Sequence, residues 1–477
     1  MSLALLKNTA WGALGEVAVR GAKIAQVIMI ARLLGAEDLG RYSYGVALVG
    51  LFSVLFDFGI LPIAVKTLSQ QPGSSALRLF GRLKLITSLL GLVLLGVGAM
   101  FSKVSAADVW IAFGLGIYLA LNDLATFVVA IYRARGEFWR ETFYRGTTAA
   151  LQLALCLVTL LLTPRLEVLV IVLIGASMLG MIPLLRECAG QPAIQGSEAG
   201  WSGSRAALMK CLPLAGSILA GSVYMNFDTV VLANHVSLEE IGWYGVAVKA
   251  IFGLMIVPLH YLLLATFPAF AFDLADTAEL ANTRARWMSG FVLSSTAGAL
   301  LSLLTALLSQ SLLMLLFGAG FVAASPVLVA FTFVGFMFYL YSPLSQWLLL
   351  QGRQKITLYI HAIATLVNVI SVPLFVSQWG LWGAVCAAFA THIAITVGHG
   401  IAVFHGPDFA DTRTDLWALG KLVVALASAI MLLHLEAGGL AMSKLWAVIA
   451  FAAIAHREVF LLVGHLKILH HKLATKP

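Results

Sequence analysis

Apolar runs of about twenty residues or longer recur along the chain, separated by short polar segments, and each is long enough for one helical membrane crossing. The pattern predicts about fourteen helices, over 8–34, 42–65, 83–102, 109–132, 144–163, 167–185, 211–234, 243–271, 288–311, 324–349, 356–376, 381–404, 417–435 and 440–458. One connecting segment occurs twice. A-R-L-L-G-A-E-D-L-G-R-Y at Ala31 to Tyr42 returns as A-N-H-V-S-L-E-E-I-G-W-Y at Ala233 to Tyr244, at a constant offset of 202 residues without a gap. Ala, Glu, Gly and Tyr are identical at matching positions, which marks an internal duplication. An even number of crossings per half makes the halves parallel, related by an axis along the membrane normal, as in duplicated transporters. The expected fold is an all-α polytopic membrane protein: an N-lobe of six helices over 1–190, a Gly-, Ser- and Pro-containing cytoplasmic linker over 191–205, a C-lobe of six helices over 206–406, and two further helices with a basic tail over 407–477.

Composition agrees with lipid as the main solvent: 61% of the 477 residues are hydrophobic and 11% charged, against about a quarter charged in soluble domains. Mean hydropathy is +0.96. A net charge of +8 would suit nucleic acid if it were clustered, but the Lys and Arg residues are dispersed over short loops. With the N-terminus in the cytoplasm, Lys66, Arg78, Arg82, Lys84, Arg133, Arg135, Arg140, Arg145, Arg186, Arg205, Lys210, Arg284, Arg286, Arg353, Lys355, Arg413 and Lys421 fall at cytoplasmic loops or span ends, and only Arg41, Lys103, Arg165 and Lys444 fall outside. That asymmetry sets both termini inside a cytoplasmic membrane. The first apolar run carries Glu16, Arg20 and Lys23, so it reads as a retained span rather than a cleaved signal. Cys156, Cys188, Cys211 and Cys386 share no metal or redox spacing and are expected as buried free thiols.

Charges within spans are the candidate chemistry. Glu16, Arg20 and Lys23 stand at i, i+4 and i+7, with Gln26 one turn further, so they form a polar stripe on one helix face. At ~1.5 Å rise per residue from Asn8, Glu16 lies ~12 Å deep and Lys23 ~22 Å deep, near mid-bilayer. Such groups cost ~2.5–3.5 kcal/mol each and face a bundle interior or a wet cavity. A Glu16–Arg20 ion pair that locks helices together is the bland reading; it leaves Lys23 without a partner on its own helix, which favours contact with an anionic cargo. Lys249 in the eighth span is the next candidate for an anion. Asp57, beside Gly59 and near Pro62, reads equally as a helix-bend hydrogen bond, Asp123 is the better candidate for proton or cation coupling, and Asp228 is as well explained by structure as by coupling. His260 and His361 read as helix-packing residues; His392 and His399 lack an Asp, Glu or Cys to complete a metal set. Glu37 and Asp38 fit helix capping better than catalysis. The tail from Lys467 to Lys476 suits acidic lipid headgroups. No G-x-x-x-x-G-K-[ST] motif occurs, so any driving force is expected to come from outside the chain.

The opening L-K-N-T-A-W-G, the span-one exit A-R-L-L-G-A-E-D-L-G-R-Y, F-D-F-G-I at Phe56 to Ile60, and N-F-D-T-V-V-L-A followed by E-E-I-G-W-Y-G-V-A-V-K at Asn226 to Lys249 resemble Wzx-type oligosaccharide flippases. These form the polysaccharide branch of the multidrug/oligosaccharidyl-lipid/polysaccharide (MOP) exporter superfamily. The resemblance implies a V-shaped pair of lobes that moves a polyprenyl-diphosphate-linked oligosaccharide to the outer leaflet by alternating access, beside polysaccharide polymerase machinery. It implies no cofactor beyond a coupling proton or Na⁺, with Arg20, Lys23 and Lys249 for the diphosphate and Glu16, Asp57, Asp123 and Asp228 for coupling. The two extra C-terminal spans are similar to those of lipid II flippases. A cation-coupled drug exporter of the same superfamily is the nearest rival and would favour acidic and aromatic cavity residues. A membrane glycosyltransferase or polymerase would need a catalytic loop outside the bilayer, so no enzyme is expected, and nucleic acid is not an expected partner.

The charge pattern predicts that reporter fusions at Arg135, Gln195 and Asp411 signal cytoplasm, and those at Glu37, Glu239 and Trp379 the outside. An outside signal at Gln195 would contradict the two-lobe scheme.

Overall fold

A computed structural model describes residues 3–70, 74–100, 105–189, 201–257, 259, 280–405, 420–421, 423–428, 444 and 447–455. Most of the linker, His260, the far end of the eighth expected span, much of the last two spans, and the tail with His470 and His471 lie outside the described residues. Regular structure among the described residues is entirely helical. The chain divides into two compact units, Met1–Gly245 and Val246–Pro477. The first holds α1 (Leu3–Leu34), α2 (Ala36–Leu51), α3 (Ser53–Asp57), α4 (Ile60–Gln70), α5 (Ser74–Met100), α6 (Ala106–Ala134), α7 (Phe138–Leu162), α8 (Leu166–Ala189), α9 (Trp201–Leu232) and the start of α10 (Leu238–Ile251).

The helices of this unit are built for lipid. On α5, Leu85, Leu89, Val93 and Val97 are exposed at intervals of four residues, while Lys84, Thr87, Ser88 and Leu95 are buried on the opposite face. A soluble helix has the reverse arrangement. Among the described residues seven helices are long and apolar enough to cross a membrane, eight with one bent pair. α1 has the length, but every stretch of eighteen residues in it contains at least three charges. Its polar stripe is therefore tolerable only against protein or water.

The second expected span, 42–65, is a broken element. It bends by 51° between Ala36–Leu51 and Ser53–Gln70 and is interrupted again where Phe58 and Gly59 take positive φ angles of 48° and 69°. Phe58 in the left-handed region costs roughly 1–2 kcal/mol. The break frees the Phe56 carbonyl, which accepts the Thr87 hydroxyl of α5 at 3.4 Å. Gly59 is also close-packed: a Cβ there would lie 2.7 Å from the Leu214 side chain of α9.

The duplicated motif has a geometric cause. A Cβ on Gly40 would overlap the Leu238 carbonyl, and one on Gly242 would overlap the Ala36 carbonyl. Leu238 and Gly242 are the repeat partners of Ala36 and Gly40, so the contact is reciprocal, as across a local two-fold axis. Glycine at this motif position therefore permits backbone-to-backbone approach. The second copy also closes as a capping box: the Glu240 amide donates to Ser237 Oγ at 3.3 Å, and the Ser237 amide donates to Glu240 Oε2 at 3.0 Å.

The second unit continues α10 into a π-helical turn, Phe252–Ile256, followed by α11 (Leu280–Leu307), α12 (Ser309–Leu316), α13 (Ser325–Leu350) and α14 (Gln354–Phe404). Trp287, Phe291, Trp347 and Leu348 form its core, and the described parts of the last two expected spans enter that core through Ala425, Leu426, Phe451 and Ala455. α14 covers both expected spans 356–376 and 381–404 and breaks at Gly380, with φ 54° and ψ −126°.

Alanine at Gly40 or Gly242 is expected to lower the melting temperature of the detergent-solubilised protein by several degrees, from an overpacking cost of roughly 1–3 kcal/mol. Gly175→Ala, where a Cβ meets nothing within 4 Å, should leave it unchanged or raise it. Equal melting temperatures for all three variants would remove the reciprocal contact.

Candidate functional site

The stripe on α1 meets a matching stripe on α7. Glu141, Arg145, Thr148 and Gln152 recur at i, i+4, i+7 and i+11, one helix face, and α1 and α7 pack together along their length. Glu16 accepts from Arg20 at 3.1 Å on its own helix and from Arg145 at 2.8 Å across the interface. Arg145 also reaches Glu141 at 3.4 Å, and Glu141 is held by two donors of Arg133, one of them at 3.0 Å. The charges thus form a chain in which Arg20, Arg145 and Arg133 alternate with Glu16 and Glu141. Lys23 is the fourth cation of the group and is paired with no carboxylate among the described residues. Cations outnumber carboxylates by four to two.

Lys23 and Arg145 face a cavity of about 90 Å³, whose wall includes Gln26, Asn122, Thr126 and Gln152, room for several waters. Gln26 is 4% exposed, and its amide nitrogen has no acceptor among the described residues. A buried donor without a partner costs about 1–3 kcal/mol, and here it is directed at the same cavity as two cations. Asn122 and Gln152 belong to an amide network. Gln152 donates to Asn122 Oδ1 at 2.9 Å and to Ser177 at 3.0 Å, and Asn122 donates to the Tyr118 carbonyl at 2.8 Å.

A second cluster lies between α3, α5 and α6. Lys84, fully buried, donates to Asp57 Oδ1 at 2.8 Å and stands 2.5 Å from Asp123 Oδ2. Removing one partner from a buried pair typically costs about 3–5 kcal/mol. Asp228 is held locally, accepting from the Tyr244 hydroxyl and, at 2.6 Å, from the Thr229 amide. Lys249 belongs to the second unit, in the last turn of α10. Glu37 and Asp38 pair with Arg41 at 2.7 and 3.3 Å. His392 and His399 donate to carbonyls one turn back on their own helix, at 2.8 and 2.9 Å, and the His361 ring packs 5.6 Å from that of His399. No group of three or more potential metal ligands occurs among the described residues. Cys156, Cys211 and Cys386 are free thiols.

Of the expected site residues, the structure therefore places Lys23 in the cavity wall, joins Glu16 and Arg20 to the charge chain beside it, and gathers Asp57 and Asp123 around one lysine. Lys84 and Arg145, both expected at span ends as topological charges, are the residues that sequence reasoning missed. Their signal was periodicity: Lys84 shares a face with Thr87 and Ser88, and Arg145 with Glu141 and Gln152.

Residues 5–272, more than half of the chain, match the family model described as polysaccharide biosynthesis protein. The chain belongs to the polysaccharide biosynthesis protein family. No curated protein matches its sequence. Solved structures similar to this family member include the lipid II flippase MurJ in an inward closed conformation, at 14% identity over 97% of this chain and 99% of that one, with TM-score 0.64. An inward-facing multidrug resistance MATE transporter of the MOP superfamily is similar at 15% identity over 84% and 95% of the two chains, with TM-score 0.58. A MOP superfamily transporter from Pyrococcus furiosus is similar at 14% identity over 87% and 96%, with TM-score 0.53. This polysaccharide biosynthesis protein is a multi-pass membrane protein with the MOP flippase fold.

Proposed function

We propose that this protein moves a polyprenyl-diphosphate-linked oligosaccharide from the cytoplasmic to the outer leaflet of the cytoplasmic membrane by alternating access of its two repeat-defined lobes. Both termini lie in the cytoplasm, a proton or Na⁺ gradient supplies the drive, and a polysaccharide polymerase takes the product. The chain itself is a transporter and not an enzyme. The observation that carries this reading is Lys23, a cation with no carboxylate partner among the described residues, beside Arg145 and the Gln26 amide, likewise unpaired among them, in a cavity with surplus positive charge. A diphosphate cannot enter hydrocarbon without groups that replace its hydration shell, while a polyprenyl tail is at home in lipid. Two cations and an amide donor are such groups, and charge-assisted bonds to phosphate are the strong ones. Release stays possible because Arg145 keeps Glu16 as an alternative partner.

A cation-coupled drug exporter would need a cavity with surplus negative charge, and this cavity has the opposite sign. Arg20 belongs to the same reading as a further contact for the diphosphate or its sugar.

Flipping of a fluorescent polyprenyl-diphosphate oligosaccharide in proteoliposomes tests it. Lys23→Gln and Arg145→Gln are expected to slow flipping roughly ten- to a hundredfold, the loss of one charge-assisted bond of about 1.5–3 kcal/mol. Lys23→Arg should retain part of the rate, since charge is kept though geometry changes. Wild-type rates in both Gln variants, or transport of cationic drugs without any lipid-linked sugar, would refute the flippase reading.

A further inference from the structure

Lys23 and Arg145 account for a charged cargo but not for the sugar it carries. Cross-helix contacts set the levels of the cavity they face. α6 and α7 run antiparallel, with Asn122 bonded to Gln152, Tyr132 stacked on Tyr144 and Arg133 bonded to Glu141 in turn. α1 runs parallel to α7, with the Trp11 carbonyl accepting from Thr142 at 2.7 Å and Glu16 from Arg145 at 2.8 Å. The cavity wall therefore has an amide end, at Asn122 and Gln152, and an aromatic end, at Tyr144, one residue from Arg145. At ~1.5 Å rise per residue, Tyr144 and Gln152 stand ~12 Å apart along α7. With the N-terminus in the cytoplasm, as proposed above, the aromatic end is the one nearer the cytoplasm.

Tyr144 is braced but not covered. Its ring stacks on that of Tyr132, with centroids 5.7 Å apart and planes 10° from parallel. Tyr132 is 4% exposed, and its ring lies 5.7 Å from the Arg140 guanidinium, a cation–π contact that helps to fix it. Tyr144 is half-buried and forms part of the cavity wall. Its neighbour Phe143 belongs instead to the lipid-facing stripe of α7, exposed with Leu157 and Leu161 on the same helix face. A cavity of about 90 Å³ has the volume of roughly three waters, too little for a diphosphate and a sugar together. A sugar joined to a diphosphate at Lys23 and Arg145 must therefore lie at an end of the cavity. The amides of Asn122 and Gln152 are engaged with each other and with Ser177, whereas the aromatic end faces the side from which a polar headgroup arrives.

We propose that Tyr144 is the platform for the first sugar of the cargo, whose pyranose ring stacks on the tyrosine while the diphosphate joined to it engages Lys23 and Arg145. This rests on the transport reading above and names the residue that recognises the sugar. A pyranose has a face of C–H bonds that carry slight positive charge, and an aromatic ring has a negative face that attracts them. Stacking of this kind reads ring shape rather than charge. It supplies what the cations cannot, a distinction between a diphosphate that carries a sugar and one that does not. Because Tyr132 already holds the Tyr144 ring in place, little ordering of that side chain is left to occur on binding.

Affinities of the purified protein for polyprenyl diphosphate and for polyprenyl diphosphate carrying one hexose, measured side by side, test it. In the wild type the hexose should add roughly two- to tenfold in affinity, the worth of one aromatic stacking contact. Tyr144→Leu should remove that increment and leave the bare diphosphate lipid bound as in the wild type, Tyr144→Phe should keep the increment, and Lys23→Gln should weaken both lipids by the same factor. A second readout needs no variant: polyprenyl diphosphate bearing a photoreactive hexose should label Tyr144 or the residues beside it on α6 and α7. Equal wild-type affinity for the two lipids, an increment that survives Tyr144→Leu, a Tyr144→Leu variant that weakens both lipids alike, or labelling confined to other helices would overturn the platform. Any of these, with the wild type still preferring polyprenyl diphosphate to uncharged polyprenol, would leave the cargo reading standing. Loss of that preference would refute the cargo reading and the platform with it.

Discussion

A charge inside a membrane protein must find a partner or water, because hydrocarbon offers neither. The first unit is organised around that constraint. Its apolar surfaces face outward, as on α5, and its charges are gathered inward into two groups. In one, the Glu16–Arg145 contact joins α1 to α7 and leaves positive charge in surplus. In the other, Lys84 joins α3, α5 and α6 and leaves negative charge in surplus. Ion pairs of this kind add little net stability over well-packed apolar side chains, but losing one member strands the other. They therefore act more as constraints on helix arrangement than as sources of stability.

The two groups are connected through α6. Asn122 is fixed to Gln152, Ser177 and the Tyr118 carbonyl beside the cavity, and the next residue, Asp123, meets Lys84. Any rotation of α6 changes both. The α3–α4 break adds a further place where backbone geometry can change, since Phe58 already holds a left-handed conformation and the freed Phe56 carbonyl is carried by Thr87. The reciprocal Gly40 and Gly242 contact brings the two motif copies within backbone distance. The same glycine recurs because the same steric limit acts on each copy.

Much of this was legible in the chain. Run length located the helices from α5 to α9, the constant offset between Tyr42 and Tyr244 revealed the duplication, and the spacing of Glu16, Arg20 and Lys23 placed them on one face. The separation of the two spans within α14 fell at Gly380. Other features were hidden for physical reasons. Helical periodicity states which face a residue occupies but not which neighbouring helix it meets, so Asp57, Lys84 and Asp123, far apart in sequence, could not be joined. Lys84 and Arg145 were absorbed into the topological charge pattern because each lies within three turns of a helix start, where a snorkelling lysine or arginine would also be found. The bend at Phe52 carries no Pro or Gly at its own position.

The central claim is that the Lys23 cavity recognises a lipid diphosphate by charge. Affinity measured by fluorescence titration of the purified protein, with polyprenyl diphosphate beside the uncharged polyprenol, tests this most directly. The cavity reading predicts that the wild type binds the diphosphate far more tightly than the alcohol, and that Lys23→Gln weakens diphosphate binding roughly ten- to a hundredfold while leaving polyprenol affinity unchanged. Equal affinity of the wild type for the two lipids, or a Lys23→Gln variant that binds the diphosphate as the wild type does, would contradict it.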